Sequence, residues 1–458
     1  MRFGKIHNIH FIGIGGIGMS GIAEVLLNLG YRVSGSDIQL SDITAALEQM
    51  GAVIYRGHKA AHVADADVVI YSSAVTPENI EVQEALRRKI PVIKRAEMLG
   101  ELMRLKQGIA IAGTHGKTTT TSLIGAVLTE GGLDPTLIIG GKVRSLNTNA
   151  RLGAGEFMVA EADEFDRSFL SMIPTLAVIT NVDADHLDCY QGLNDLQNAF
   201  VTFANKVPFY GKVIACLDNP GVQEILQRFK RSVLTYGFNS QADVSARNLQ
   251  FEDAGSRFDV LLHGKLLSRM TLQMPGRHNV QNALAAVAVG LELDIPLSDI
   301  QKALAEFSGI TRRFEIKAVV NDLMIVDDYG HHPTEIEATL QGARNGWKKK
   351  RIVAIFQPHL YSRTRNFYKE FARVFLNADM LIVTDIYPAR EEPIEGVSGK
   401  IIADAALAIG HKHVFYFPDK TTLAEKVLPL VQPGDMVLTI GAGDIWKVAN
   451  ELVEKLKN

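Results

Sequence analysis

The sequence contains very little cysteine: Cys189 and Cys216 are the two cysteines among 458 residues. A disulfide framework of the kind that small secreted domains use is therefore excluded, and a reducing, cytoplasmic compartment is expected. No apolar run approaches the ~20 residues that a membrane-spanning helix needs. Export is not expected either, because five glycines and Glu24 interrupt the apolar stretch 9–27 near the N-terminus.

An excess of one charge is also missing. The 48 basic and 51 acidic residues give a formal net charge of -3, which excludes a general affinity for nucleic acids or for anionic membranes. With 22% charged and 47% hydrophobic residues, the chain is neither disordered nor a fibrous repeat. At ~150 residues per domain, the length suggests about three domains.

Strand-like and helical segments alternate along the chain, which predicts an α/β fold with largely parallel sheets. We predict a Rossmann-like N-terminal domain over 1–106 and a central domain with a mainly parallel sheet over 107–313. A Rossmann-like C-terminal domain over 314–458 follows, with its first strand at 323–326. Short alternating runs within 240–275 predict an antiparallel patch.

The first candidate site is a glycine loop. The predicted strand 9–14 runs into the pattern G-x-G-x-x-G, and a helix over about 20–29 follows. Asp37 lies at the end of the next strand, where a carboxylate can bind ribose hydroxyls. NAD is the usual ligand of this pattern, but any nucleotide diphosphate satisfies the same physics, and a tight turn without a ligand is the alternative. The loop glycines are Gly13, Gly15, Gly16 and Gly18.

A second loop has the features of a triphosphate site. It follows an apolar strand, opens a helix, and reads Gly113, Thr114, His115, Gly116, Lys117, Thr118 and Thr119. Lys117 can reach the β- and γ-phosphates of a nucleotide, and Thr118 or Thr119 can hold Mg²⁺. The loop is shorter than G-x-x-x-x-G-K-[ST], so it is a variant phosphate loop. The alternative is a threonine-rich helix cap.

Acidic residues follow two of the predicted central strands, where ligand groups collect in parallel sheets. One cluster begins at Glu161 and another surrounds His186. Because Mg²⁺ prefers oxygen ligands, the chemistry alone favours Glu161 and the aspartates over His186. The alternative is that several of these acids cap the helices that follow.

Seven segments in this order resemble one known family, the Mur ligases of peptidoglycan precursor synthesis. They are 10–21 (HFIGIGGIGMSG), 113–120 (GTHGKTTT), 180–188 (TNVDADHLD), 275–283 (PGRHNVQNA), 312–315 (RRFE), 327–336 (DDYGHHPTEI) and 356–364 (FQPHLYSRT). They extend across nearly the whole chain, and the set is far more specific than any single member.

The resemblance implies an ADP-forming ligase that joins an amino acid to the carboxylate of UDP-N-acetylmuramate through an acyl phosphate. DDYGHH resembles the branch that adds L-alanine. ATP and two Mg²⁺ ions are the implied cofactors, with small-molecule substrates, no nucleic-acid or membrane partner, and a monomer or homodimer. The central domain would be a P-loop-type ATPase, and the three predicted domains would bind the UDP-sugar, ATP and the amino acid in that order. The first loop would therefore bind a UDP-sugar, not NAD.

Carried over by motif, the resemblance assigns site residues in four groups. The UDP-sugar would contact Gly13, Gly15, Gly16, Gly18, Asp37, Ser72 and Ser73. ATP would contact Gly113, Thr114, His115, Gly116, Lys117, Thr118, Thr119, His278, Asn279, Asn282, Arg313 and Asp327. The metal ligands would be Thr118, Glu161 and His186, and the amino acid would lie near Tyr329, His332 and Arg363. Lys117, His332 and Arg363 would be the catalytic residues.

Some of these assignments have alternatives. His332 is a candidate base for the amine, but solvent could serve. His278 could cap the helix that starts near Val280, and one of the histidines before Pro333 could be structural. Arg363 could be an ordinary surface cation.

The sequence departs from the family pattern in three places. Several members of the family have a lysine, modified to a carbamate, in the segment that follows the metal-binding histidine. Here no lysine lies within 196–203, and Lys206 is the first after it, so we predict no carbamylated lysine. Phe165 stands where a serine is expected, and Leu360 stands where an arginine is expected. The last two changes lie close to the predicted site.

Three other functions compete with this prediction. A recycling ligase that adds the L-alanyl-γ-D-glutamyl-diaminopimelate tripeptide to UDP-N-acetylmuramate would share the first substrate and the ATP site. An NAD-dependent oxidoreductase would explain the first glycine loop but not the second. A non-catalytic nucleotide-binding regulator would not need Lys117, Glu161 and His186 together.

Overall fold

A computed structural model of the chain describes residues 3–72, 74–144, 148–183, 189–389 and 391–457. By contacts between residues, the chain divides into two compact units. The first comprises 1–247, 259–270 and 281–307, and the second comprises 248–258, 271–280 and 308–458. The α/β class with mainly parallel sheets is confirmed.

The described residues of the N-terminal segment form a parallel sheet in the order β3-β2-β1-β4-β5. Strand β1 ends two residues earlier than predicted, because Gly13 has a φ of +80° and turns the chain. Its elements are β1 (Asn8–Ile12), α1 (Ile17–Asn28), β2 (Arg32–Asp37), α2 (Asp42–Gln49), β3 (Val53–Arg56), β4 (Val68–Tyr71), α3 (Ile80–Arg87), β5 (Val92–Lys94) and α4 (Arg95–Met103).

A second sheet has the order β15-β14-β13-β12-β11-β10-β6-β9-β7-β8 among the described residues. Its strands are β6 (Gln107–Ala112), β7 (Thr136–Val143), β8 (Thr148–Arg151), β9 (Phe157–Ala162), β10 (Leu176–Ile179), β11 (Lys212–Cys216), β12 (Ser232–Gly237), β13 (Val244–Glu252), β14 (Gly255–Leu262) and β15 (Lys265–Leu272). Strand β6 pairs in parallel with both β9 and β10. Two-residue turns join β13 to β14 and β14 to β15, which requires antiparallel neighbours, as predicted for 240–275.

The helices that accompany the second sheet are α5 (Lys117–Glu130), α6 (Leu193–Asn205), α7 (Pro220–Leu226), α8 (Arg277–Glu292) and α9 (Leu297–Glu306). Helix α8 begins at Arg277, three residues earlier than predicted, so that His278 and Asn279 lie in its first turn. None of the helices in the described residues combines the length and the apolar character that crossing a bilayer requires.

The described C-terminal residues form a third sheet in the order β16-β17-β21-β18-β19-β20. Its elements are β16 (Glu315–Val320), β17 (Leu323–Asp328), α10 (Pro333–Gly346), β18 (Arg351–Phe356), α11 (Tyr361–Val374), β19 (Met380–Val383), α12 (Lys400–Ala408), β20 (Val414–Tyr416), α13 (Leu423–Val427), β21 (Asp435–Ile440) and α14 (Trp446–Lys457). Strand β16 was not predicted. It is an antiparallel edge strand whose residues are not fully buried, so its apolar pattern is weak.

Side chains of the third sheet alternate between two apolar clusters. Val326 and Leu438 belong to the cluster on one face, and Ile325 and Val437 belong to the cluster on the other. Helices cover both faces, which is why its parallel strands read as continuous apolar runs. Ligand groups can therefore collect only at the ends of the strands.

Two helix glycines give a test of this packing. A Cβ added at Gly100 in α4 would lie 2.5 Å from the carbonyl oxygen of Ser171, whereas a Cβ at Gly342 in α10 would meet nothing closer than 3.6 Å. Gly100→Ala is expected to lower the free energy of unfolding by about 1–3 kcal/mol through overpacking. Gly342→Ala, the control, should raise it by about 0.5–1 kcal/mol because alanine favours the helix. Urea unfolding of both variants measures this, and equal effects would contradict the described contact.

Candidate active site

The phosphate loop requires its two glycines. Gly113 has a φ of +143° and Gly116 a φ of +81°, in the region that favours glycine. A Cβ at Gly113 would lie 1.9 Å from Oγ1 of Thr180, and one at Gly116 would lie 2.7 Å from Oδ1 of Asn282. The loop backbone therefore runs directly against its neighbours, and no larger residue fits.

Residues just after β10 hold this loop in place. The backbone N–H of His115 donates to Oδ1 of Asn181 at 2.7 Å, and the hydroxyl of Thr180 donates to the carbonyl of His115 at 2.7 Å. Helix α5 begins at Lys117 directly after the loop. The positive end of its dipole thus faces the same space as the loop amides, an arrangement that favours a bound phosphate.

The side chain of Lys117 is only 14% exposed, and its ammonium group lies in a cluster of oxygen atoms. It lies 2.6 Å from Glu164, 3.5 Å from Asp163 and 2.7 Å from the carbonyl of Gly113. Burial alone would lower the pKa of Lys117, but the charges of Glu164 and Asp163 outweigh this effect and hold the pKa above its ordinary value. The lysine is therefore a permanent cation at the start of α5.

Two of the predicted metal ligands lie side by side. The hydroxyl of Thr118 donates to a carboxylate oxygen of Glu161 at 3.2 Å, and the other oxygen of Glu161 accepts the N–H of Gly140 at 2.5 Å. Glu161 lies within β9, not after it as predicted. His186, the third predicted ligand, lies outside the described residues.

This donor set fits a magnesium ion that also binds nucleotide phosphates. A hydroxyl and a carboxylate are the oxygen ligands that Mg²⁺ prefers, and phosphate oxygens and water usually complete its shell. Within the described residues, no group of three or more His, Cys, Asp or Glu side chains is arranged to hold a metal by itself.

The first glycine loop lies at the carboxyl end of β1. The carboxylate of Asp37 accepts the N–H of Gly15 at 2.9 Å, and Ser72 lies 3.1 Å from the position of a Cβ at Gly13. The side chain of Arg95, which no sequence motif indicates, lies 3.2 Å from the position of a Cβ at Gly18. A Cβ at Gly16 would meet its nearest neighbour, the carbonyl oxygen of Gly13, at 3.6 Å. Ser73 lies outside the described residues.

A cavity of about 410 Å³ lies in the same unit. It is lined from one side by residues near the first glycine loop, including Tyr71 and Arg95, and from the other by the segment 163–171 that follows β9. Asp163, which contacts Lys117, and Phe165, one of the departures from the family pattern, belong to the second wall. The cavity therefore extends from beside the glycine loop to the contacts of Lys117.

Three predicted ATP contacts lie on helix α8. Asn282, in the first unit, accepts the hydroxyl of Thr120 at 3.2 Å beside the phosphate loop. In the second unit, the side-chain amide of Asn279 donates to the carbonyl of Pro275 at 2.7 Å. Burial and the positive charge of Arg313 lower the pKa of His278 to about 4, so that its imidazole is neutral at physiological pH.

In the second unit, the carboxylate of Asp327 binds Arg312, the residue next to Arg313, which is the predicted ATP contact. Its carboxylate accepts Nε of Arg312 at 3.0 Å and the hydroxyl of Thr439 at 2.7 Å. The predicted Arg313 lies over the ring of Tyr329, 5.2 Å from its centroid, and 4.0 Å from Glu335. Arg312, which opens the 312–315 motif and has no predicted role, is thus the arginine that binds Asp327.

His332 and Arg363, which are predicted to lie near the bound amino acid together with Tyr329, have different surroundings. His332 is buried and is the N-cap of α10, where its Nδ1 accepts the N–H of Thr334 at 3.4 Å. Arg363 lies in the first turn of α11 with Nη1 3.5 Å from Nδ1 of His359. The ring of His359 is 5.9 Å from that of His331, so a histidine pair adjoins this arginine.

A glycine loop at a helix start, a buried lysine and a hydroxyl–carboxylate pair together define a nucleoside triphosphate site, and comparison with known proteins gives the family. The model described as "Mur ligase family, catalytic domain" matches residues 8–107. "Mur ligase middle domain" matches 111–290, and "Mur ligase, glutamate ligase domain" matches 312–443. The chain belongs to the Mur ligase family, and this membership implies ATP and a divalent metal ion.

Curated relatives match along the full length. The chain is 54% identical over 455 residues to the UDP-N-acetylmuramate–L-alanine ligase of Geotalea uraniireducens, covering 99% of each chain. It is 55% identical over 456 residues to the enzyme of that name from Geobacter sulfurreducens, again covering 99% of each.

Solved structures agree with this picture. The UDP-N-acetylmuramate–alanine ligase of Thermotoga maritima is 31% identical with a TM-score of 0.85, over 98% of this chain and 99% of that one. A murein peptide ligase of Psychrobacter arcticus is 25% identical with a TM-score of 0.71, over 99% of both chains. The fold is thus shared with both the predicted ligase and its recycling rival, with the greater similarity to the first.

The neutral state of His278 has a consequence for stability. Its pKa is about 4 in the folded chain against an ordinary value of 6.5, so between these pH values the unfolded chain binds a proton that the folded chain excludes. Stability is therefore lost as the pH falls through this window. Between pH 7 and pH 5 the loss should be about 2 kcal/mol greater for the wild type than for His278→Gln. Urea unfolding at the two pH values tests this, and parallel losses in both proteins would refute it.

Proposed function

We propose that this protein catalyses the ATP-dependent ligation of L-alanine to the carboxylate of UDP-N-acetylmuramate, a step of peptidoglycan precursor synthesis. One observation carries the proposal. The buried Lys117 and the Thr118–Glu161 pair lie on a phosphate loop, in a chain that is 54–55% identical over its length to ligases of that name.

The chemistry requires activation of a carboxylate. A carboxylate oxygen of the muramoyl group attacks the γ-phosphorus of ATP, the bond to the β-phosphate oxygen breaks, and ADP leaves with its electron pair. The alanine amine, having lost a proton, then attacks the carbonyl carbon of the acyl phosphate. Collapse of the tetrahedral intermediate expels inorganic phosphate and leaves the amide. A bare carboxylate would offer the amine no comparable leaving group.

The loop residues stabilise charge in the first step. Lys117 and the amides at the start of α5 would neutralise the γ-phosphate, where charge spreads over the oxygens during transfer. Glu164 and Asp163 hold the ammonium group in position. When bound, Mg²⁺ supplies further neutralisation of the phosphates. Thr118 and Glu161 would hold it, with His186 as a further predicted ligand and a second ion as a prediction.

The UDP-sugar is assigned to the N-terminal sheet. The diphosphate would lie at Gly13–Gly18, beside Arg95, and the sugar would extend through the cavity towards Lys117. The support is the continuity of this cavity from Arg95 to Asp163. A substrate with its diphosphate at one end and its carboxylate at the other matches that course.

The amino acid is assigned to the second unit. Arg363 would bind its carboxylate, because a guanidinium matches a carboxylate in bidentate geometry. Tyr329 would lie beside it. For proton removal from the amine, His332 remains a candidate, although its Nδ1 already caps α10. Solvent is the other route. Arg313 and Asp327 as ATP contacts also remain predictions.

The rival functions find less support. The recycling ligase shares the fold, but the murein peptide ligase structure is less similar than the alanine ligase structure in both identity and TM-score. An oxidoreductase would leave the buried Lys117 and the phosphate loop without a role. A non-catalytic regulator would not require the Thr118–Glu161 pair.

The direct test is phosphate release from ATP and Mg²⁺ with UDP-N-acetylmuramate, adding either L-alanine or the L-alanyl-γ-D-glutamyl-diaminopimelate tripeptide. We expect release with L-alanine and none above background with the tripeptide. Release with the tripeptide alone would show that the protein is the recycling ligase. Release with neither would contradict the ligase proposal.

The role of Lys117 gives a second expectation. Lys117→Ala should lower kcat at least 100-fold, because no other cation replaces the ammonium group at the γ-phosphate. Lys302→Ala, which removes a surface lysine paired with Glu130, is the control and should keep wild-type turnover. Thermal unfolding checks that both variants fold. A folded Lys117→Ala protein with near-normal ADP release would exclude this role.

A further inference from the structure

Arg167 has a backbone conformation that is costly for its residue type. It lies in the turn segment after β9 with a φ of +62°, in the left-handed region. For a side chain with a Cβ this conformation is unfavourable, whereas glycine adopts it freely. At Arg167 the side chain makes contacts that a glycine there could not make.

The guanidinium group is held in place from two sides. It lies over the ring of Tyr190, 4.8 Å from the centroid, and forms an ion pair with Asp195. The hydroxyl of Tyr190 donates to the carbonyl of Glu164, the residue that binds Lys117. The backbone N–H of Arg167 donates to the same carbonyl at 3.0 Å. The arginine is thus tied to the segment that positions Lys117.

Arg167 also lines the cavity of about 410 Å³ described above. Its side chain is 41% exposed, so part of the guanidinium remains accessible beside its contacts with Tyr190 and Asp195. The cavity wall carries two further cations, Lys94 and Arg95, against the acids Glu97 and Asp163. The balance of these five charges is positive, which suits an anionic ligand.

The two ends of the cavity differ in their neighbours. Arg95 lies against Gly18 of the first glycine loop, where the diphosphate is assigned. Arg167 belongs to the other wall, with Asp163 and its contact to Lys117. An anionic group near Arg167 is therefore not the diphosphate. In the assigned substrate the remaining anionic group is the lactyl carboxylate.

We propose that Arg167 is a specificity residue that binds the lactyl carboxylate of UDP-N-acetylmuramate and orients it towards Lys117, with Tyr190 and Asp195 as its positioning residues. This inference rests on the proposed function. It adds the recognition of the carboxylate by a guanidinium, whose fork of N–H donors can bind both oxygens. The ion pair with Asp195 leaves other N–H groups of the arginine for this contact.

The left-handed backbone of Arg167 allows a glycine substitution that removes the side chain without adding backbone strain. Arg167→Gly removes the guanidinium and relieves the backbone at the same time, so that the relief offsets part of the loss of the contacts with Tyr190 and Asp195. Lys89→Gly is the matched control: Lys89 is an exposed lysine with a φ of +61°, and it does not line the cavity. Both variants lose one positive charge and relieve one left-handed residue.

Calorimetry measures the binding of UDP-N-acetylmuramate and of UDP-N-acetylglucosamine, which lacks the lactyl group. Arg167→Gly should weaken the first ligand about tenfold or more, the effect of losing a charged hydrogen bond, and leave the second within about twofold. Lys89→Gly should change neither. Arg167→Lys, which keeps the charge without the fork, should fall between the wild type and Arg167→Gly for the first ligand. If Arg167→Gly is too unstable to measure, Arg167→Lys decides by the same comparison of ligands.

An equal loss for both ligands would overturn the inference, because the arginine would then serve the pocket as a whole. Unchanged binding of both would overturn it as well. If the wild type does not prefer UDP-N-acetylmuramate, there is no discrimination to assign, and the inference fails with it. Failure of the proposed function is separate: it appears as absent phosphate release with L-alanine in the wild type.

Discussion

The buried ammonium group of Lys117 is the charge on which the arrangement of the first unit depends. An ammonium ion removed from water without partners is unstable by many kcal/mol, so it must be surrounded by oxygen atoms. Glu164, itself 1% exposed, lies 2.6 Å away, and the carbonyl of Gly113 lies 2.7 Å away on the same loop. The lysine and its carboxylate belong to different strand–loop connections. Their pairing therefore fixes those connections relative to one another.

Strand register brings the two connections together. In the parallel pair β6–β9, Ala112 at the end of β6 lies opposite Ala162 at the end of β9. The chain therefore leaves both strands at the same level of the sheet, so that Gly113 and Asp163 begin their loops side by side. A shift of the register by one residue would move the acids to the opposite face and separate Glu164 from Lys117. The nucleotide site is thus a consequence of sheet pairing as much as of the loop motif.

This dependence explains what the sequence predicts well and what it does not. Parallel strands share their carboxyl ends, so apolar runs followed by glycines or acids are enough to locate both loops, the acid cluster near Glu161 and the α/β class. Which side chains from the two loops meet depends on the strand register, and a shift of one residue would change every pair. Hence Glu164 as the partner of Lys117 was not predicted, and neither was Arg95 beside Gly18.

Left-handed backbone accounts for further differences. Arg312 and Phe314 have φ values of +62° and +46°, so the chain reverses its course around Arg313. As a result Arg312, not its neighbour, reaches Asp327, whereas the guanidinium groups of both arginines lie over Tyr329. No pattern of residue types predicts a left-handed backbone at non-glycine positions, because contacts distant in the sequence impose that conformation.

Leu360 extends the same argument to the amino-acid end. It has a φ of +71°, and its N–H donates to the carbonyl of Tyr387 at 3.0 Å while its own carbonyl accepts the hydroxyl of Thr364 at 2.8 Å. These contacts hold an unfavourable conformation between His359 and Arg363, and so fix where both side chains leave the backbone. Leu360 is one departure from the family pattern, and Arg167 lies two residues from another, Phe165. Strained residues persist only where surrounding contacts over-determine them, and Tyr387 and Thr364 supply such contacts at Leu360 as Tyr190 and Asp195 do at Arg167.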